Sequence, residues 1–274
     1  PKGVRRMPIR FGQGVRGNLF FKEGQAEKMP VVIWLHPLSY HSGYNEGYGV
    51  QGTTVYHRMA ENGFAVIAYD QCGFGLRLQE GSVFYERHQR WSRLGRMVMD
   101  ARDAVSFAVE GKGATSGAIP ELDEDRVFIL GYSIGALTAV YVGALDDRLA
   151  GVACFSGWTP LRDATKATAN GGNRRLWELH ALQPRLGWFD GREEDIPFDY
   201  HDVLGQVLPK PCLIVTPKRD RFADHSAITE AIKQLRLAKP KQAEAALTWQ
   251  SPDETNRFQA DQHQQFINWA KSLR

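Results

Sequence analysis

Cysteine is scarce in this 274-residue sequence: there are three, Cys72, Cys154 and Cys212, each inside or beside an apolar run. An odd number in such settings argues against a disulfide framework and reads as buried thiols. No apolar stretch approaches the roughly 18 residues that a membrane span needs. No signal or transmembrane segment is read in the chain, which starts at Pro1 without a methionine, so the compartment stays open. No five like charges occur in a row, and Lys plus Arg exceed Asp plus Glu only by 34 to 31. That balance is too weak and too evenly spread to argue for nucleic acid. The 8 histidines are scattered without ligand spacing, so neither a metal nor another cofactor is expected. There is no repeat and no low-complexity segment. What is present, 43% hydrophobic and 24% charged residues, suits one large α/β domain with a sizeable core.

The organising stretch is Val127 to Ala136. Its four leading apolar residues read as a buried strand. Gly131-Tyr132-Ser133-Ile134-Gly135 follows, and then a helix-compatible run from Ala136 to Leu145. A sharp strand-to-helix turn strains the serine backbone and stands its hydroxyl clear of the sheet. Small residues two before and two after let strand and helix approach. The Ile134 N–H then points at a developing oxyanion, at a helix N-terminus.

Around it the pattern alternates. Met7 to Lys22 reads as an N-terminal hairpin. Pro30 to His36 and Phe64 to Asp70 are continuous apolar runs, as expected of parallel strands covered on both faces. Thr54 to Asn62 reads as a helix ended by Gly63. Trp91, Leu94, Val98, Ala101, Val105 and Ala108 recur three and four apart, one face of a long helix. Leu149 to Phe155, Pro211 to Thr216 and Ala246 to Gln250 read as further strands, with helices near 226–237 and 259–273. From Gly157 to Pro209 the periodicity breaks among tryptophans and histidines, with short helical pieces near 174–182 and 200–207. That segment is too long for a connection and too aromatic for a linker, and it reads as a lid within a single domain spanning 1–274. The whole predicts a mostly parallel, doubly wound sheet, with its site beyond the C-terminal strand ends.

The sequence resembles the α/β-hydrolases, and within them it is similar to dienelactone hydrolases, acetyl xylan esterases and prolyl oligopeptidase-like serine hydrolases. The residues that carry the likeness are Leu35-His36-Pro37, Ala68-Tyr69-Asp70 with Gly73 and Gly75, the 131–135 elbow, and Pro211-Cys212-Leu213-Ile214-Val215 through Asp220. The resemblance implies a serine carboxylesterase with a catalytic triad and an oxyanion hole, acting on small-molecule esters, carbohydrate esters included. Ser133 is then the nucleophile, Leu38 and Ile134 donate the oxyanion N–H groups, and Asp220 is the acid, with Asp224 as its alternate. Pro37 stands where the family usually has glycine, and His36 reads as structural. The family's histidine falls in the loop after the last strand, here Ser251 to Phe258, where Asn256 occupies its place. His263 is the next candidate base, because it follows the last strand, and His225 is another. Tyr40, His41, Tyr44, Tyr48 and Phe84 to His88, with the lid tryptophans, form an aromatic and polar mouth suited to sugar rings or aromatic acids, or else pack the lid onto the body. Two other readings stay open: a fold that has lost its base and only binds, and a serine exopeptidase. Neither the membrane nor nucleic acid is an expected partner, and the oligomeric state is not legible.

Overall fold

The computed structural model describes residues 3–25, 27–45, 53–115, 117–162 and 172–273. One nine-stranded sheet runs through them, in the order β5-β1-β2-β4-β3-β6-β7-β8-β9. The strands are β1 (Val4–Phe11), β2 (Val15–Lys22), β3 (Met29–Leu35), β4 (Ala65–Tyr69), β5 (Gly113–Thr115), β6 (Leu122–Tyr132), β7 (Gly151–Phe155), β8 (Cys212–Val215) and β9 (Leu247–Gln250). The neighbours from β4 through β3, β6, β7 and β8 to β9 are parallel. The expected hairpin β1–β2 continues the sheet antiparallel from β4, and the short β5 closes that edge. The helices are α1 (Val55–Glu61), α2 (Leu78–Ser82), α3 (Phe84–Arg87), α4 (Arg93–Glu110), α5 (Ile134–Leu145), α6 (Tyr200–Val207), α7 (His225–Ala238), α8 (Pro240–Ala246) and α9 (Ala260–Ser272).

The apolar runs explain the layering. In β3, Val31, Ile33 and Leu35 join the cluster that includes Leu94, Val105 and Leu137 of α4 and α5. Val32 and Trp34 alternate into the opposite cluster, with Met59 of α1 and Phe266 of α9. A strand buried on both faces has no solvent side to mark with polar residues, which is why β3 reads as an unbroken apolar run. Each such side chain contributes about 1.5–3 kcal/mol on burial.

Three details depart from the sequence reading. Trp91 lies before α4 and is exposed; Ser92 caps that helix, its hydroxyl accepting from the Gly95 N–H at 2.9 Å. Strand β5 and helix α8 were not expected: β5 is exposed along its length, and Pro240 opens α8 just after α7 ends. Tyr44 and Phe84 belong to the core, not to a mouth. Tyr44 is buried, its hydroxyl accepting from Asn18 Nδ2 at 2.6 Å, and Phe84 is buried in the α4–α5 cluster. Tyr48 falls outside the described residues. The three cysteines are free and buried. Among the described residues no helix is long and apolar enough to cross a membrane.

Candidate active site

Ser133 sits between β6 and α5 with φ 55° and ψ −119°, a conformation that L-residues rarely adopt. Its surroundings enforce that geometry. A Cβ on Gly135 would stand 1.9 Å from the Leu35 carbonyl oxygen, and one on Gly157 1.9 Å from the Ser133 carbonyl oxygen. The elbow is therefore wedged between the ends of β3 and β7, and the Ser133 N–H donates to the Phe155 carbonyl at 3.0 Å. Ile134 is the first residue of α5, so its N–H has no partner four residues earlier within the helix. Leu38 lies in the loop that leaves β3, half-buried against the core.

His36 is structural. Its Nδ1 meets the Pro37 carbonyl at 2.7 Å, which requires the proton on Nδ1, and its Nε2 accepts from the Gln71 N–H at 3.0 Å. This ring ties the end of β3 to the end of β4. Burial pushes its pKa down to about 4, so it is neutral and fully committed. Asp70, at the end of β4, accepts the N–H groups of Tyr44 and Leu76 at 3.0 and 2.9 Å and so fixes the two loops beside the elbow.

Asp220 is buried, 6% exposed, in the loop after β8. Its Oδ1 accepts the Phe222 N–H at 2.9 Å, and its Oδ2 accepts from Asn256 Nδ2 at 2.8 Å. Backbone pairing explains the meeting. Beyond β8 and β9 the two loops remain joined, Lys218 N–H to Pro252 carbonyl at 2.9 Å and Arg219 N–H to Glu254 carbonyl at 3.0 Å. Asn256 is carried to the acid by that zipper. Its Oδ1, on the far side of the amide from Asp220, is buried with no hydrogen bond.

The structure does not join His263 to Asp220. His263 lies on α9, 6% exposed, with its ring 4.6 Å from that of Phe258 and its Nδ1 unpaired. The Phe258 ring also stacks on Tyr132 at 5.3 Å, so it stands between His263 and the elbow residue. Burial first, and the charge of Arg58 second, push the His263 pKa down to about 4. His225 opens α7 and its Nε2 meets the Ser251 hydroxyl at 2.5 Å, also without a bond to Asp220. Asp224 is a helix cap, accepting the Ser226 and Ala227 N–H groups at 2.9 and 3.1 Å.

The segment after β7 packs over this region through 172–209. The Tyr85 hydroxyl donates to the Ala181 carbonyl at 2.6 Å, and Arg93 Nη1 donates to the His180 carbonyl at 3.2 Å. Tyr40, next to the Leu38 loop, meets His180 Nδ1 at 2.7 Å through its hydroxyl. Arg175 is a residue that the sequence pattern did not single out. Its guanidinium lies 4.4 Å over the Phe222 ring, and the charges nearby are the anion Asp220 and the cation Arg221. Burial lowers its pKa. Among the described residues it forms no ion pair within 4.0 Å.

Comparison with known proteins follows the same lines. The sequence signature of the family described as "Serine aminopeptidase, S33" matches residues 38–202. No curated protein matches the chain significantly. Among solved structures, a CE15 glucuronoyl esterase from Caldicellulosiruptor kristjansonii is 17% identical with a TM-score of 0.71, the likeness covering 100% of this chain and 77% of that one. A CE15 glucuronoyl esterase from Teredinibacter turnerae is 14% identical with a TM-score of 0.69, covering 98% and 73%. A putative dienelactone hydrolase from Klebsiella pneumoniae is 14% identical with a TM-score of 0.61, covering 98% of each chain. At such identities the likeness is one of fold.

Proposed function

The chain belongs to the serine aminopeptidase S33 family of serine hydrolases, with the α/β-hydrolase fold, and from that premise we propose that it cleaves carboxylic esters at Ser133. The carrying observation is the elbow. A serine held at φ 55° by glycine-only contacts on two sides is stored strain, and such strain persists where a side chain must be presented. The Ser133 Oγ adds to the acyl carbon, and the Ile134 and Leu38 N–H groups stabilise the oxyanion. The alcohol leaves with a proton, and water then releases the acid and restores Ser133. The segment read as a lid, 157–209, sets substrate size. Carbohydrate esters are a fitting class, in line with the glucuronoyl esterases that share the fold.

The Asp220–Asn256 pair shapes the rate. Asn256 presents its amide as a histidine would present its ring, with Nδ2 to the acid and Oδ1 opposite. An amide orients a hydroxyl but does not take its proton at neutral pH. The serine proton therefore passes to water, and turnover is slow. That same pair favours a second reading, a site that holds an ester-like ligand without hydrolysing it. An aminopeptidase must hold a substrate ammonium group, and the cation Arg175 at the mouth opposes that. Hydrolysis of a chromogenic short-chain ester, with Ser133→Ala as the control, tests the proposal. Turnover lost in the alanine variant supports it; wild-type protein that binds the ester and releases no alcohol replaces it with the second reading.

A further inference from the structure

Arg175 is a half-buried cation with no carboxylate within 4.0 Å among the described residues. A guanidinium partly removed from water gains from an anionic partner that restores the lost hydration. Its Nε donates to His180 Nε2 at 3.4 Å. That leaves the His180 proton on Nδ1, facing the Tyr40 hydroxyl at 2.7 Å. His180 is therefore a neutral bracket, its pKa held near 4 by burial and by the charges of Arg175 and Arg93. With Nε so placed and the guanidinium resting on Phe222, the two terminal amino groups carry no hydrogen bond among the described residues. Asp220 does not bond them: its oxygens accept from the Phe222 N–H and from Asn256 Nδ2. Contacts place Arg175 beside the site: His180, which it meets through Nε, holds Tyr40 next to the oxyanion loop, and Phe222, on which its guanidinium rests, donates its N–H to Asp220.

We propose that Arg175 receives a carboxylate of the ligand, so that the substrates of this site are esters that also carry a free acid group, such as half-esters of dicarboxylic acids. A guanidinium with two free amino groups matches a carboxylate in bidentate fashion, and its bracket on Phe222 and His180 removes the entropy cost of ordering it. The substrate class rests on the reading of Ser133 as an ester-cleaving site; the carboxylate site itself does not.

The experiment has two arms. In the first, p-nitrophenyl hemisuccinate and p-nitrophenyl butyrate, which match in length and differ in the terminal carboxylate, are compared by kcat/KM. Wild-type protein should prefer the hemisuccinate by about tenfold or more, the scale of a charged hydrogen-bonded contact. The preference should fall to near unity in Arg175→Gln and survive in part in Arg175→Lys. In the second, succinate is titrated against Ser133→Ala protein and against the double variant with Arg175→Gln, with thermal unfolding as the readout. Succinate should raise the midpoint only where Arg175 is present. Succinate protection with neither ester hydrolysed sinks the esterase reading and keeps the carboxylate site. Butyrate turnover with no hemisuccinate preference and no succinate protection overturns the carboxylate site and keeps the esterase. A preference that persists unchanged in Arg175→Gln also overturns it. So does an Arg175→Gln protein whose only change is lower stability at neutral pH, for Arg175 is then merely a distant counter-charge to Asp220.

Discussion

Asn256 Nδ2 donates to Asp220 Oδ2 at 2.8 Å, which under the proposed esterase reading is the bond that a serine hydrolase's acid makes to its histidine. Asp220 is buried and hydrogen-bonded. The elbow is kept, with its strain. On that reading an amide of similar reach stands where the proton acceptor is expected, and its outward Oδ1 has no partner among the described residues.

Asn256→His should therefore raise ester turnover. The ring would take the same bond from Asp220 and present a basic nitrogen where Asn256 now presents Oδ1. General-base catalysis contributes typically about 10²–10⁴-fold. The pH–rate profile should gain an acidic limb near the ordinary histidine value of about 6.5. Steady-state kinetics of the variant from acid to neutral pH checks this; a rate equal to wild type with no new limb shows that the missing base is not what limits the site.

Much of this was legible because its signals are local. The elbow is five consecutive residues with two small positions, and the parallel strands are unbroken apolar runs because both faces are covered. The sequence puts Asn256, in the loop after the last strand, about where the resemblance expects a histidine. Its bond to Asp220 depends on a backbone zipper between loops some 35 residues apart, which no local pattern records. Arg175 was invisible for a related reason. It lies where periodicity breaks, and its contacts tie it to distant stretches, to Phe222 directly and to Tyr40 through His180. Asp100 sits between Met97 and Ala101 on the buried face of α4, where pattern predicts an apolar residue. Only the fold reveals that Arg77 and Arg96 meet it there.

Ser133→Gly should abolish turnover and stabilise the fold. Glycine adopts positive φ without the Cβ penalty, which is about 1–2 kcal/mol for other residues. The hydroxyl makes no hydrogen bond among the described residues that the change would forfeit. Chemical denaturation should show a higher midpoint for the glycine variant; a lower one would show that the elbow geometry is not strained.

Asp100→Asn should be among the most damaging single changes away from the elbow. Asp100 is fully buried and meets Arg77 Nη1 at 2.7 Å and Arg96 Nε at 2.9 Å. Burial pushes its pKa up while the arginines pull it down. Removing its charge takes the buried anion from two guanidinium groups, leaving Arg77 to Glu80 at 2.7 Å and Arg96 to Gln13 at 2.8 Å, at a cost of up to about 3 kcal/mol. Arg77 also donates to the Asp70 carbonyl at 3.1 Å, so the loop after β4 should loosen with it. Hydrogen exchange across residues 71–77, together with the unfolding free energy, measures both effects; a loss under about 1 kcal/mol would assign the pair no structural weight.

Stability should fall on acidification below about pH 6.5, in part through two histidines. His36 and His263 are buried, and each has its pKa lowered from 6.5 to about 4. Above the unfolded value both are neutral in either state and contribute no pH dependence. Between about 6.5 and 4 the unfolded chain binds protons that the native chain refuses, so the unfolding free energy rises with pH across that window. Each fully buried group contributes up to about 1.4 kcal/mol per pH unit. His36 cannot be changed cleanly, because it ties β3 to the Gln71 backbone. His263 can be: its Nδ1 has no partner and its ring packs on Phe258. His263→Phe keeps the ring and removes the titration. Its unfolding free energy, measured near pH 7 and near pH 5 beside wild type, should drop less between the two. Equal slopes would mean that His263 accepts a proton in the native state as readily as in the unfolded one, which its burial against Phe258 and Arg58 forbids.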